Sequence, residues 1–233
     1  MSWNQSSYLP ADVRDERVSS FMGRVYGWMF AGLLVTSLTA FVVANSQAIS
    51  ETIIENRMLF WVVLLAQLGL VFFLSAKVHT LSPGTAAGLF ILYSALSGVT
   101  ASIMLLIYTA SSVASTFVIT AGMFGATSIF GLTTKKNLAG WGQFFFMGLI
   151  GLLLAMIVGF FWHSDALQFV ISVIGVLVFT GLTAWDSQRL KQMAVALPDG
   201  SVGSYAVVGA LSLYLDFINL FFFLLRLSGG RRN

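Results

Sequence analysis

The sequence predicts an all-α membrane protein with seven transmembrane helices. Three observations carry that expectation. Hydrophobic residues make up 58% of the chain and charged residues 9%, against about 25% charged in soluble domains, so water is not its main solvent. The apolar residues gather in runs, and seven of these approach the roughly 20 residues that cross about 30 Å of hydrocarbon. The polar stretches between the runs are short, as in a bundle whose successive helices are neighbours.

The first 20 residues, MSWNQSSYLPADVRDERVSS, are polar and lack the apolar centre of a cleavable signal peptide. They are expected to form a cytoplasmic tail, with residues 21–228 as one seven-helix domain and 229–233 as a short C-terminal tail. The seven segments fall near 22–45, 58–76, 84–108, 112–133, 142–162, 166–187 and 205–226. Segments 3 and 4 are parted only by the polar patch around Thr109, Ser111 and Ser112. No breaker interrupts SQRLKQM after segment 6, so that helix continues to a turn at Pro198-Asp199-Gly200. There are no cysteines, which excludes disulfides and thiolate metal sites.

Orientation follows from Lys and Arg beside the spans. Arg14, Arg17 and Arg24 lead into segment 1, Lys77 follows segment 2, Lys135 and Lys136 follow segment 4, and Arg189 and Lys191 follow segment 6. The alternate loops carry Glu51, Glu55 and Arg57, then no charge, then His163 and Asp165. The N-terminus is therefore expected in the cytoplasm. Arg226, Arg231 and Arg232 run against this rule if segment 7 crosses, but its length favours crossing over re-entry.

The chemistry concentrates in two carboxylates. Asp216 lies inside the apolar run LYLDFINLFFFLLR, where an acid costs about 2.5–3.5 kcal/mol on insertion scales and faces the bundle interior with a partner. Ser212 and Asn219 share its helical face. Asp186 lies in FTGLTAWDSQRLK, with Thr180, Thr183 and Ser187 near helical spacing. Segments 6 and 7 are antiparallel and joined by a short turn, which can bring Asp186 and Asp216 to similar depths. Two carboxyls in one low-dielectric site do not both ionise near neutrality and titrate as a unit. A shared proton would hold them together, and its loss would part them or recruit a cation. The plainer alternative leaves Asp186 at the interface, paired with Arg189 or Lys191, and Asp216 as a structural hydrogen-bonder.

Other polar features have competing readings. Ser94, Ser97 and Thr100 in segment 3, and Thr116, Thr120 and Thr127 in segment 4, line single faces. They suit a hydrated path or, more plainly, helix packing. Gly84, Gly88, Gly122, Gly125, Gly148 and Gly151 suit close packing. Trp28, Trp61, Trp141, Trp162 and Trp185 read as interface anchors. Gln67 and Gln143 have no evident role.

The stretches SLYLDFINLFFFLLR, LTAWDSQRL, TASSVASTFVITAGMFGATSIFG and FMGRVYGWMFAGLLVT together resemble the Bax inhibitor-1 family, also called the transmembrane Bax inhibitor motif family, and look most like its bacterial inner-membrane members. The resemblance runs from Phe21 to Arg226. It implies a bundle whose seventh helix is central and surrounded by helices 1–6, a pH sensor made of paired aspartates, and a pH-dependent calcium leak. By motif the pair is Asp186 and Asp216, with Ser212, Asn219 and Thr183 as supporting polar groups. Family members complete the latch with an arginine at the end of helix 2. Here the nearest basic residue is Lys77, which lacks the planar fork of arginine. His79 is a second pH-sensing candidate.

Three functions compete. A cation leak gated by the aspartate pair would pass calcium and protons, with Asp186 and Asp216 as a weak calcium site, since calcium takes six to eight oxygen ligands. An interaction protein would use the tail carrying Asp12, Arg14, Asp15, Glu16 and Arg17. For bacterial relatives the resemblance implies modulation of a membrane-anchored ATP-dependent protease. An intramembrane aspartyl protease would need glycine-x-glycine-aspartate where this chain has Tyr214-Leu215-Asp216. No Walker, HExxH, nucleophile-elbow or dinucleotide motif occurs. The chain is therefore expected not to be an enzyme, to need no cofactor and to bind no nucleic acid. A proton-coupled transporter would call for an unwound, glycine-interrupted helix pair.

Overall fold

A computed structural model describes residues 10–162, 164–198 and 202–232. Eight helices follow one another: α1 (Ala11–Asn45), α2 (Gln47–Glu55), α3 (Arg57–Lys77), α4 (Pro83–Ile107), α5 (Ala110–Thr133), α6 (Ala139–Phe161), α7 (Asp165–Ala196) and α8 (Val202–Ser228). Seven, all but α2, are long and apolar enough to cross a membrane. The predicted turn residues Asp199 and Gly200, His163, and residues 1–9 of the predicted tail lie outside the described residues.

Local chemistry sets several helix starts. Asn56 caps α3 by accepting the Leu59 N–H at 3.1 Å, and Thr109 caps α5 by accepting the Ser112 N–H at 3.3 Å. Ser82 accepts the Thr85 N–H at 3.2 Å, with Pro83 in the first turn where its missing N–H costs nothing. The Thr109 cap is the break between segments 3 and 4. The α1 helix begins well before its apolar window, because nothing between Ala11 and Ser20 stops it. The short α2 lies in a stretch that hydropathy leaves as loop.

The chain divides into two compact units, one built from residues up to Ile107 with Leu190–Tyr214, the other from Tyr108–Arg189 with Leu215 onward. In the first, α1 and α3 pack on α4. Thr36 of α1 donates to the Ser94 carbonyl at 2.9 Å and meets the Tyr214 hydroxyl at 2.6 Å, while Phe90 and Tyr93 pack edge-on against the Tyr214 ring. Gln67, without a role from sequence, donates from α3 to the Leu96 carbonyl of α4 at 2.9 Å. Ser204 at the start of α8 donates to the Leu81 carbonyl at 2.7 Å.

In the second unit, Leu152, Ile171, Val178, Phe179, Leu182, Leu220 and Phe223 form the buried core. The Phe179 and Phe223 rings stack at 5.9 Å, and Phe117 and Phe124 pack edge-on to Phe217. The C-terminal residues return to the start of α5: Thr109 N–H donates to the Gly230 carbonyl at 3.0 Å and Gly230 N–H to the Ser112 hydroxyl at 2.9 Å.

The described hydroxyls favour packing over a hydrated path. Ser94, Thr100, Thr120 and Thr127 each donate to a carbonyl one turn back on their own helix. Several expected glycine contacts are absent: nothing lies within 4 Å of a side chain built at Gly84, Gly88, Gly122, Gly125 or Gly151. Spacing finds small residues but not which of them face a neighbour.

Candidate functional site

The site is built around Asp186 on α7 and Asp216 on α8, both in the second unit. Each is buried, 7% and 4% exposed. The two carboxyls lie near enough to act on each other. Oδ2 of Asp216 is buried without a hydrogen-bond donor, and Oδ1 of Asp186 has an ion pair with Arg189 but no hydrogen bond. Such oxygens are costly in an apolar interior, so the pair is under-satisfied by its neighbours.

Arg189, one turn along α7, places Nη2 3.3 Å from Asp186 Oδ1. Its charge acts on both carboxyls. Its side chain is 42% exposed, and its guanidinium lies 4.9 Å over the Trp185 ring. The plainer pairing of Asp186 with Arg189 is thus present together with the proximity of Asp216. A lone pair this open to its surroundings is weak, so Arg189 does not fix Asp186 alone.

What fixes it is the seat of α7. Ser187 exchanges a 2.7 Å hydrogen bond with Ser128 of α5. Gln188 accepts the Leu138 N–H and donates to the Lys136 carbonyl, both at 2.8 Å, tying α7 to the α5–α6 connection. Gly131 of α5 and Gly142 of α6 bring the backbone close. A side chain at Gly131 would run into the Ala184 carbonyl, and one at Gly142 into the Trp185 ring. Trp185, read from sequence as an interface anchor, is half-buried and packs against the Gly142 backbone.

The supporting groups turn elsewhere. Thr183 donates to the Phe179 carbonyl at 2.7 Å and Asn219 to the Leu215 carbonyl at 2.8 Å. Ser212 reaches only the Val208 carbonyl, at 3.5 Å. Sharing a helical face with Asp216 thus does not make Ser212 or Asn219 its donor, because each meets its own backbone first. Lys77 is exposed in the last turn of α3, in the first unit. His79, just beyond it, bonds through Nδ1 to the Tyr205 hydroxyl. Among the described residues no group of three or more His, Cys, Asp or Glu side chains could hold a metal. Two carboxyls fall well short of the six to eight oxygens of a calcium site.

A family model described as inhibitor of apoptosis-promoting Bax1 matches residues 18–233. The chain belongs to the Bax inhibitor-1 family. The inner membrane protein YbhL of Escherichia coli K12 is 50% identical over 218 residues, 92% of this chain and 93% of that protein. A protein of Borreliella burgdorferi is 44% identical over 92% of this chain and 94% of its own length. One of Deinococcus radiodurans is 42% identical over 93% of both. This member of the Bax inhibitor-1 family is a multi-pass membrane protein, with Asp186 and Asp216 on its sixth and seventh apolar spans. Ser128, Gln188, Gly131 and Gly142 were not singled out from the sequence. A serine or glycine inside an apolar helix carries no sign of what it faces.

Proposed function

We propose that this protein is a pH-sensitive cation leak of the bacterial inner membrane, with calcium as the ion carried, gated by the Asp186–Asp216 pair. The observation that carries this reading is the pair itself: two buried carboxyls close together on membrane-spanning helices, with Asp216 Oδ2 left without a donor and Asp186 Oδ1 facing only the half-exposed Arg189. Two such groups in a low-dielectric site hold a proton between them rather than two negative charges. With the proton present, they bond to one another and the helices stay together. Loss of the proton leaves like charges in contact, which separates the helices or draws in a cation.

Arg189 supports the gate by its place. It acts on both carboxyls yet is partly exposed, so it can stabilise the deprotonated state and reach solvent. Lys77 is a second basic candidate for the latch. The burial of α8 supports its being the helix that the other spans enclose. In its most apolar stretch 56% of residues are buried, against 6% in α3. The name of the E. coli relative supports the inner membrane, and the basic loops support a cytoplasmic N-terminus.

An interaction role, with a membrane-anchored protease as the partner, draws on one feature. The charged residues Asp12, Arg14, Asp15 and Glu16 stand exposed on the first turns of α1. Deleting the N-terminal residues 1–18 should abolish such binding and leave flux intact.

The experiment is calcium flux into liposomes between about pH 6 and pH 8, a range above the ordinary carboxylate pKa in which only an environment-shifted acid could change its charge. Wild type should leak with a pH-dependent rate, and Asp216→Asn should lose that dependence. An Asp216→Asn protein with the wild-type pH profile would sink the gate. No protein-dependent flux at any pH would sink the leak.

A further inference from the structure

The first unit holds a feature that the aspartate gate does not use. A cavity of about 460 Å³ opens between α2, α3 and α4. Ala48, Ile49, Thr52 and Ile53 of α2 form one wall, at the spacing of a single helical face. Leu59, Phe60 and Val63 of α3 form a second wall, and Val99 with Thr100 of α4 the third.

The place of this cavity follows from connectivity. The α2 helix lies between the end of one span and the start of the next, so it sits at a membrane surface. Val63 is six residues into α3 and Thr100 seven residues from the end of α4, which puts them about 10 Å below that surface at 1.5 Å per residue. That is the depth of acyl chains beneath their headgroups. The lining offers little for water. Its two hydroxyl protons are committed: Thr52 donates to the Ala48 carbonyl at 2.7 Å and Thr100 to the Ser97 carbonyl at 2.9 Å. What remains is acceptor capacity on two oxygens, short of the two to four partners that ordered water takes.

The rim is acidic. Glu51 and Glu55 of α2 are exposed, and helical geometry sets them along the Ala48 edge of the apolar face. An amine-bearing headgroup is attracted there, and an anionic one is not.

We propose that the α2–α3–α4 cavity is a phospholipid site, taking one acyl chain of an amine-headgroup lipid with the headgroup amine at Glu51 and Glu55. The short amphipathic α2 is then a clasp across the upper part of that chain. Its apolar face has hydrocarbon to cover, and its acids lie at headgroup level.

The test is photo-crosslinking of the full chain in nanodiscs, using phosphatidylethanolamine with a diazirine on one acyl chain and phosphatidylglycerol with the same label. Adducts are mapped by peptide mass spectrometry. The expected result is enrichment at Ile49, Ile53, Val63 and Val99 over exposed apolar positions such as Phe72 and Leu154. Val63→Trp, which fills the cavity, should lower the yield at Ile49 and Ile53 by about tenfold, the equivalent of losing two buried methylenes. Val99→Phe is the second filling variant, should Val63→Trp misfold. Glu51→Gln with Glu55→Gln should erase the preference for phosphatidylethanolamine while leaving acyl adducts in place. Labelling no denser in the cavity than at Phe72 and Leu154 would overturn the proposal. So would equal labelling by both lipids in wild type.

Discussion

One methyl group added at Gly131 tests whether the close seat of α7 holds Asp186 in place. A side chain there meets backbone, the Ala184 carbonyl, and helical backbone cannot swing aside as a side chain can. Overpacking of this kind costs about 1–3 kcal/mol. The same change at Gly151 meets nothing within 4 Å, and alanine in place of a helical glycine stabilises by about 0.5–1 kcal/mol. That gain is common to both helical positions, so the two variants should differ by the overpacking alone, roughly 1–3 kcal/mol. At about 2–4 °C per kcal/mol for a chain of this size, that is a gap of about 2–12 °C in melting temperature. The assay is thermal unfolding of both purified variants in one detergent, followed by flux against pH in liposomes. Gly131→Ala should melt lower and shift the pH profile, because Ala184 is two residues before Asp186. Gly151→Ala should melt at or above wild type and keep the profile. Equal melting temperatures for the two variants would refute the packing argument. A lower-melting Gly131→Ala with an unchanged pH profile would refute its link to the gate.

Ser128→Ala and Ser187→Ala should each lower stability by about 0.5–1.5 kcal/mol in denaturant titration, since each removes the buried hydrogen bond between them, and the double variant should cost less than their sum. Replacing Gln188 by Leu removes both bonds to the α5–α6 connection, so amide exchange at Leu138 should quicken while that at Thr100 stays unchanged. Thr36→Val takes a partner from the buried Tyr214 hydroxyl. It should destabilise by about 0.5–1.5 kcal/mol in denaturant titration, the net worth of one hydrogen bond, because Ser97 remains a partner of that hydroxyl.

The legible part of the fold is the part set by composition and spacing. The seven apolar runs became seven spans, and α7 continues past Asp186 to Ala196. The polar patch at Thr109 became a helix cap. The last segment, with Asp216 inside it, is one unbroken helix. The α2 helix was not legible because nine residues ending in a charged turn fall short of a hydropathy window. Its apolar face shows only against α3 and α4.

Sequence alone determined which solvent this protein lives in, how many times its chain can cross it, and that Asp186 and Asp216 are the acids to explain. Those properties belong to single residues and to runs along one chain: transfer free energy, helical rise and capping chemistry. Tertiary structure decided that Arg189 and Asp216 both act on Asp186, that Ser212 and Asn219 turn away from Asp216, and that Gly131 and Gly142 rather than Gly122 or Gly125 carry the close contacts. It also decided that Thr52 and Thr100 line an apolar cavity. Each depends on how a helix is rotated about its axis and where it crosses its neighbour. A rotation of one residue position, about 100°, exchanges a buried face for a lipid-facing one while leaving the sequence pattern equally apolar.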